Sequence, residues 1–288
     1  MDRGRSPGVN VGILIACLAV YLLAGRPPRY VFLVGVLPAL LVFWIRRNVP
    51  EPAEWRDARS KARHVPRVAA LFEGTTLPVT LKTIVVCALS LSAWWAFMFW
   101  HPQHLRNLPE LASWARPDRE RLVATAFFLL IGVSIAGNFL AGLLARIMGY
   151  RRSIALQMLG LGAAMLGSFA SPRSAAALVY LWLPLVGLFS GVFALFTMYM
   201  PPLFPTLLRT TGAGFCYNIG RVAAAAGTVL FGLLAPVGDF RVALLWAGAL
   251  PVAAAAVALT LPEPEAQDAP SSSILMTARS GESASPSA

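Results

Sequence analysis

Long apolar stretches broken by short basic turns dominate the chain, and neither a helical nor an alternating polar face runs through them. Eight stretches approach the roughly 20 apolar residues that a helix needs to cross about 30 Å of hydrocarbon. They cover residues 9–25, 30–45, 83–100, 122–145, 153–170, 175–200, 212–236 and 242–261. Backbone amides in lipid must bond within their own segment, so each stretch reads as helix. A barrel would show apolar and polar residues in alternation, and that period is missing. The pattern predicts an all-α membrane protein with about eight transmembrane helices.

Composition agrees. Of the 288 residues 57% are hydrophobic and 13% are charged, against about a quarter charged in soluble chains. Mean hydropathy is +0.66. The formal charge of +11 comes from residues in the gaps between apolar runs, with no basic stripe for nucleic acid. With both ends in the cytoplasm, two-thirds of the 24 Lys and Arg residues fall on the inner side, the bias expected of a multi-pass inner-membrane protein. Arg3 and Arg5 ahead of the first run also fit a secretory signal. Its removal would leave seven spans in the same orientation. Residues 48–80 read as a polar cytoplasmic linker. The Pro-, Glu- and Ser-rich stretch 262–288 reads as a disordered tail.

A weak internal echo divides the chain. Gly35-Val36-Leu37-Pro38 returns as Gly248-Ala249-Leu250-Pro251, and Val49-Pro50-Glu51-Pro52 returns as Leu261-Pro262-Glu263-Pro264. Carriers are often built from two similar halves. Residues 81–261 would then be a six-helix C-terminal half, and 1–47 the last two helices of an N-terminal half, four helices short.

Two motifs sharpen this. The segment from Gly142 to Arg152 reads GLLARIMGYRR, two glycines seven apart followed by an arginine pair. It resembles the cytoplasmic loop signature of the major facilitator superfamily, with Arg146 where the family has an acid. LFPTLLRTTGAGFCYNIGR, Leu203 to Arg221, resembles the junction between the tenth and eleventh helices in the metabolite and sugar symporter branch. Pro205 is expected to stop one helix and Thr211 to cap the next. Arg47–Pro52 resembles that branch's exit from its sixth helix. The resemblance implies a partial major-facilitator fold, helices five to twelve. It also implies transport of a small sugar or organic acid by alternating access, as an incomplete carrier. The other reading is a non-transporting membrane remnant, or an interaction partner of another membrane protein.

Candidate chemistry is sparse. All 13 Asp and Glu residues lie in loops, tails or helix ends, so no intramembrane carboxylate offers a proton relay. His101 and His104 have helical ligand spacing, but Pro102 is expected to break the helix and leave both in an outer loop. Cys17, Cys87 and Cys216 read as small buried hydrophobes. No enzyme motif, metal site or cofactor is expected. Trp94 and Trp95 fit an interfacial aromatic belt, or, on the seventh-helix position that the resemblance implies, a ring platform in a substrate cavity. Asn138 and Asn218, costly against lipid, are expected to face a neighbouring helix or that cavity. Gly142, Gly149, Arg151, Arg152, Arg209 and Arg221 make a cytoplasmic gate. Gly187 and Gly191 form a small-residue packing face. The expected partners are the bilayer and a small-molecule substrate. A second copy or the missing N-terminal half would cover the open side of the cavity.

Overall fold

The computed structural model describes residues 29–34, 36, 42–44, 47–48, 53–61, 67–234 and 240–263. The stretch 9–25, its signal alternative and the tail beyond Glu263 lie outside the described residues, as does most of 30–45. Among the described residues all regular structure is helical. Two short helices come first, α1 (Arg29–Val34) and α2 (Ala53–Lys61). Six long ones follow: α3 (Thr76–Arg106), α4 (Arg116–Met148), α5 (Tyr150–Phe169), α6 (Ala175–Tyr199), α7 (Arg209–Leu234) and α8 (Arg241–Ala258).

Five of these helices are long and apolar enough to cross a membrane. The other, α5, opens on Arg151 and Arg152 and carries Gln157, which lowers its apolar character. Helix α3 runs through Pro102 to Arg106, which corrects the expectation of a break there. His101 is buried, its ring stacked on Phe97 at 4.5 Å and its Nδ1 2.8 Å from the Phe97 carbonyl. A proline removes one amide from the ladder, and the packing of its neighbours holds this helix together across the gap.

Local chemistry sets the other ends. The Ser174 hydroxyl accepts from the Ala177 amide and starts α6. Pro184 then withholds an amide, and the preceding turn widens into a π-helical stretch, Leu178–Trp182. Pro205 lies in extended backbone between two 3-10 turns, as its sequence context predicts. Helix α7 begins at Arg209, so Thr211 lies in its first turn and does not cap it.

Helix α3 packs on α7 and α8, α5 on α8, and α4 on α6. The closest approach is between α4 and α6, where backbone meets backbone. A Cβ on Gly137 would strike the Leu188 carbonyl, one on Gly187 the Leu130 carbonyl, and one on Gly191 the Gly137 carbonyl. The expected packing face of Gly187 and Gly191 is thus observed. Gly220 meets Cys87 between α7 and α3, and Gly162 meets Val252 between α5 and α8. Cys87 and Cys216 are free and buried; Cys17 lies outside the described residues.

Burial is uneven. Helices α3 and α6 bury 50% of their most apolar stretch, whereas α4 and α7 bury 22% and 17%. Phe128, Phe139, Leu143 and Ile147 of α4 and Val222, Val229 and Leu233 of α7 are exposed. These two helices carry its bare faces.

Gly137→Val should lower the unfolding free energy by about 3 kcal/mol, the upper range for overpacking a tight site. Gly142→Val meets open space and should change it little. Thermal unfolding in detergent followed by size exclusion reads the difference, and equal effects would refute this packing.

Candidate functional site

Between α3 and α7 lies a groove of about 740 Å³, lined by Trp95, Phe99 and Trp100 on α3 and by Arg221, Thr228 and Leu233 on α7, among others. The helices run parallel, Gly220 against Cys87 and Gly227 against Ser92, so the groove follows both axes. Trp100 closes its far end: its indole N–H donates to the Thr228 carbonyl at 3.0 Å and its ring stacks on Phe240 at 4.8 Å.

The two expected cavity tryptophans part company. Trp95 is 48% exposed and lines the groove. Trp94, one residue and 100° round the helix, packs against Phe193 of α6 at 5.4 Å and lies partly buried against the core. Asn218 is exposed on α7, its amide donating to the Gly214 carbonyl one turn back at 2.8 Å. Asn138 is half-buried on α4, beside Gly137, and does not line this groove.

Arg221 stands apart from the other residues expected at the gate. Helix α7 has 26 residues, and Arg221 lies about 18 Å along its roughly 39 Å length. It is therefore at mid-depth, beside the level of Cys87. Among the described residues it has no ion-pair partner, and it is exposed to the groove. Asn218 and Arg221, three apart, share one face of α7. By sequence context Arg221 counts with the inner-loop charges, because the motif that contains it starts in a loop.

Arg151, Arg152, Gly149 and Arg209 lie at one end of the bundle. Gly149 alone makes the turn between α4 and α5: its φ of +84° suits glycine. Gly142 lies inside α4. The acid that the loop lacks in sequence comes from elsewhere. The Glu263 carboxylate, beyond α8, accepts from the Tyr150 amide at 2.6 Å and the Arg151 amide at 3.1 Å, with the Arg151 guanidinium 3.9 Å away. A carboxylate at a helix N-terminus meets unsatisfied amides and the positive end of the dipole. Around it, Arg151 donates to the Leu261 carbonyl, Tyr199 to the Pro262 carbonyl and Lys82 to the Thr260 carbonyl. The exit peptide of α8 thus ties α3, α5 and α6 into one plate. Arg152 is exposed beside it, and Arg209 opens α7 at the same end. The sequence echo at Leu261–Pro264 was the signal for Glu263, read only as a repeat.

At the opposite end a polar basin of about 570 Å³ gathers Gln103, Arg106, Asn107, Arg116, Arg119 and Glu120. Arg106 and Glu120 pair through two hydrogen bonds of 2.9 Å. The Glu110 carboxylate accepts from the Ala175 amide at the start of α6, and Arg241 reaches the Phe169 carbonyl at the end of α5 at 3.0 Å. No group of three or more His, Cys, Asp or Glu among the described residues could hold a metal ion.

Together these features define a multi-pass all-α membrane protein, and its motifs are similar to those of transporters of the major facilitator type. Three curated relatives carry the same sense. The chain is 27% identical over 255 residues, 84% of its length, to the cis,cis-muconate transport protein of Acinetobacter baylyi. It is 27% identical over 81% of its length to a probable 4-methylmuconolactone transporter of Cupriavidus pinatubonensis, and 24% identical over 70% to the sialic acid transporter NanX of Escherichia coli. It spans 59%, 53% and 48% of those relatives' own lengths. No family model matches the chain.

Replacing Glu263 by Ala should cost about 1–2 kcal/mol, the value of a lost helix cap. Arg152→Ala, at an exposed position, should cost no more than about 0.5 kcal/mol. Melting curves of the two variants in one detergent would test this, and equal shifts would remove the special role of Glu263.

Proposed function

We propose that this chain forms the six-helix half of an alternating-access carrier for a small metabolite, a sugar or an organic acid. The observation that carries the reading is the pair of under-buried helices: α4 and α7 leave bare the faces on which a second set of helices would close, and α7 bears Asn218 and Arg221 there. A charged side chain at mid-depth is costly against lipid, so this face of α7 meets water or protein. The relatives support the reading with their names, two of which are those of acids or their anions.

In this reading the plate around Glu263 is the cytoplasmic end and Arg209 stands at its rim. The basin around Arg106 and Arg119 opens outward, in accord with the positive-inside bias. Trp95 and Asn218 line the substrate path, and Asn138 contributes from α4 where the second half meets it. That the relatives are transporters supports a carrier over an enzyme. The bilayer and a small-molecule substrate are its partners, and a second copy or the remaining helices of an N-terminal half complete the cavity.

Impermeant maleimide should label Ser113→Cys, at the basin end, from outside intact spheroplasts, and Ser60→Cys on α2 only after permeabilisation. The reverse pattern would invert the topology. Purified full-length chain in proteoliposomes should equilibrate at least one labelled sugar or organic acid faster than empty vesicles do. Uptake no faster than in empty vesicles, with correctly oriented protein, would favour a non-transporting membrane protein.

A further inference from the structure

The basin between the end of α3 and the start of α4 carries more positive charge than its own acid can neutralise. Arg106, Arg116 and Arg119 line it against Glu120, and Arg106 takes both oxygens of that carboxylate. The other described acids nearby are engaged as well, Asp118 with Arg121 at 3.2 Å and Glu110 with the Ala175 amide. Arg116 and Arg119 have no ion-pair partner among the described residues. Arg119 is half-buried, and its Nε is buried without a hydrogen-bond partner. A buried charged donor without an acceptor is among the costliest groups a fold can hold. The basin therefore favours an anion that the chain does not itself supply.

Its arrangement selects the shape of that anion. Arg116 and Arg119, three residues apart, share one face of α4, with about 5–6 Å between their Cβ atoms. One guanidinium fork satisfies the two coplanar oxygens of a carboxylate, as Arg106 does for Glu120. Two forks call for oxygens that point in more directions, and a tetrahedral phosphate has them. The volume of about 570 Å³ falls within the range of small-molecule sites, about 300–1,000 Å³. That is far more than a bare ion fills, so the phosphate can carry an alcohol with it. Gln103, on the α3 wall, offers an amide to the hydroxyls of such a group.

Arg106 is the last residue of α3 and Arg116 the first of α4, so the basin stands where the apolar runs of both helices stop. Trp114, 44% exposed in the connection, is a residue type that settles at the membrane–water boundary. Lipid phosphates lie at this level, and basic pockets between membrane helices hold anionic headgroups. Soluble esters reach the same place from the water.

We propose that this basin binds a phosphate ester, its phosphate held between Arg116 and Arg119 and its alcohol part lying toward Gln103. The proposal stands apart from the carrier reading, because it needs neither the groove between α3 and α7 nor transport.

The test uses the full chain in nanodiscs, and native mass spectrometry counts the molecules that it retains. One set of discs mixes phosphatidylglycerol with phosphatidylcholine, whose choline brings a cation of its own to the guanidiniums. The other set is phosphatidylcholine alone with added glycerol phosphate. Preferential retention of phosphatidylglycerol assigns the phosphate to a lipid headgroup, and retention of glycerol phosphate assigns it to a soluble ester. The double variant Arg116→Gln, Arg119→Gln should lower the retention at least about tenfold, the scale of a lost hydrogen bond to a charged group. Glu120→Gln, which releases Arg106, should raise it. The proposal is overturned if neither ligand is retained above phosphatidylcholine. It is equally overturned if the double variant, eluting as a monodisperse peak, keeps wild-type retention. A loss of the same size in Arg146→Gln, at the far end of α4, would also overturn it, since net charge alone would then be the cause.

Discussion

Everything in this bundle depends on backbones meeting without side chains between them. Lipid tails are as apolar as leucine, so helices gain little by hiding leucines from them. Association must come from close packing and from polar contacts. Gly137, Gly187 and Gly191 give α4 and α6 that proximity, with each glycine's missing Cβ occupied by a carbonyl of the opposite helix. Gly162 and Gly220 do the same for the pairs α5–α8 and α7–α3 in milder form, against side chains as well as backbone. Ring packing then fills the wider gaps, as Phe97, Phe169 and Trp94 do around the core of α3.

With the helices fixed by small residues, the polar groups are free to serve the ends. Several charged side chains that reach another element cap a terminus or bind a terminal carbonyl: Glu110 at the start of α6, Glu263 at the start of α5, Arg241 at the end of α5. These are the backbone groups that a helix cannot satisfy by itself. Arg221 does none of this. It departs from the economy of the other polar side chains at a point where departure is expensive, and that contrast marks α7 as the helix with a task beyond packing.

The six long helices were legible because a span must be apolar throughout, a signal that survives any detail of packing. Their resemblance to carriers was legible in the two motifs, whose glycines and prolines have local mechanical roles at Gly149 and Pro205. What escaped the sequence was every feature decided across helices. Trp94 and Trp95 are indistinguishable as letters, and only the neighbours of α3 send one against the core and the other to the groove. Pro102 reads as a breaker because its missing amide is local knowledge, while the packing that carries the helix past it is not. Arg221 was legible as a residue and misplaced as a position, since its motif straddles a loop and a span. The acid of the Gly149 turn could not be found by looking near Gly149, because it arrives from the far end of the chain.

That distance bears on how the molecule is made. The Gly149 turn leaves the ribosome before the carboxylate that caps it, which lies 113 residues after Tyr150. Until α8 has been threaded into the bilayer, the first amides of α5 have only water or headgroups to bond. Glu263 is therefore a latch that closes only once α8 is in place. A bundle without α8 in place differs from one with it in the open amides at the start of α5.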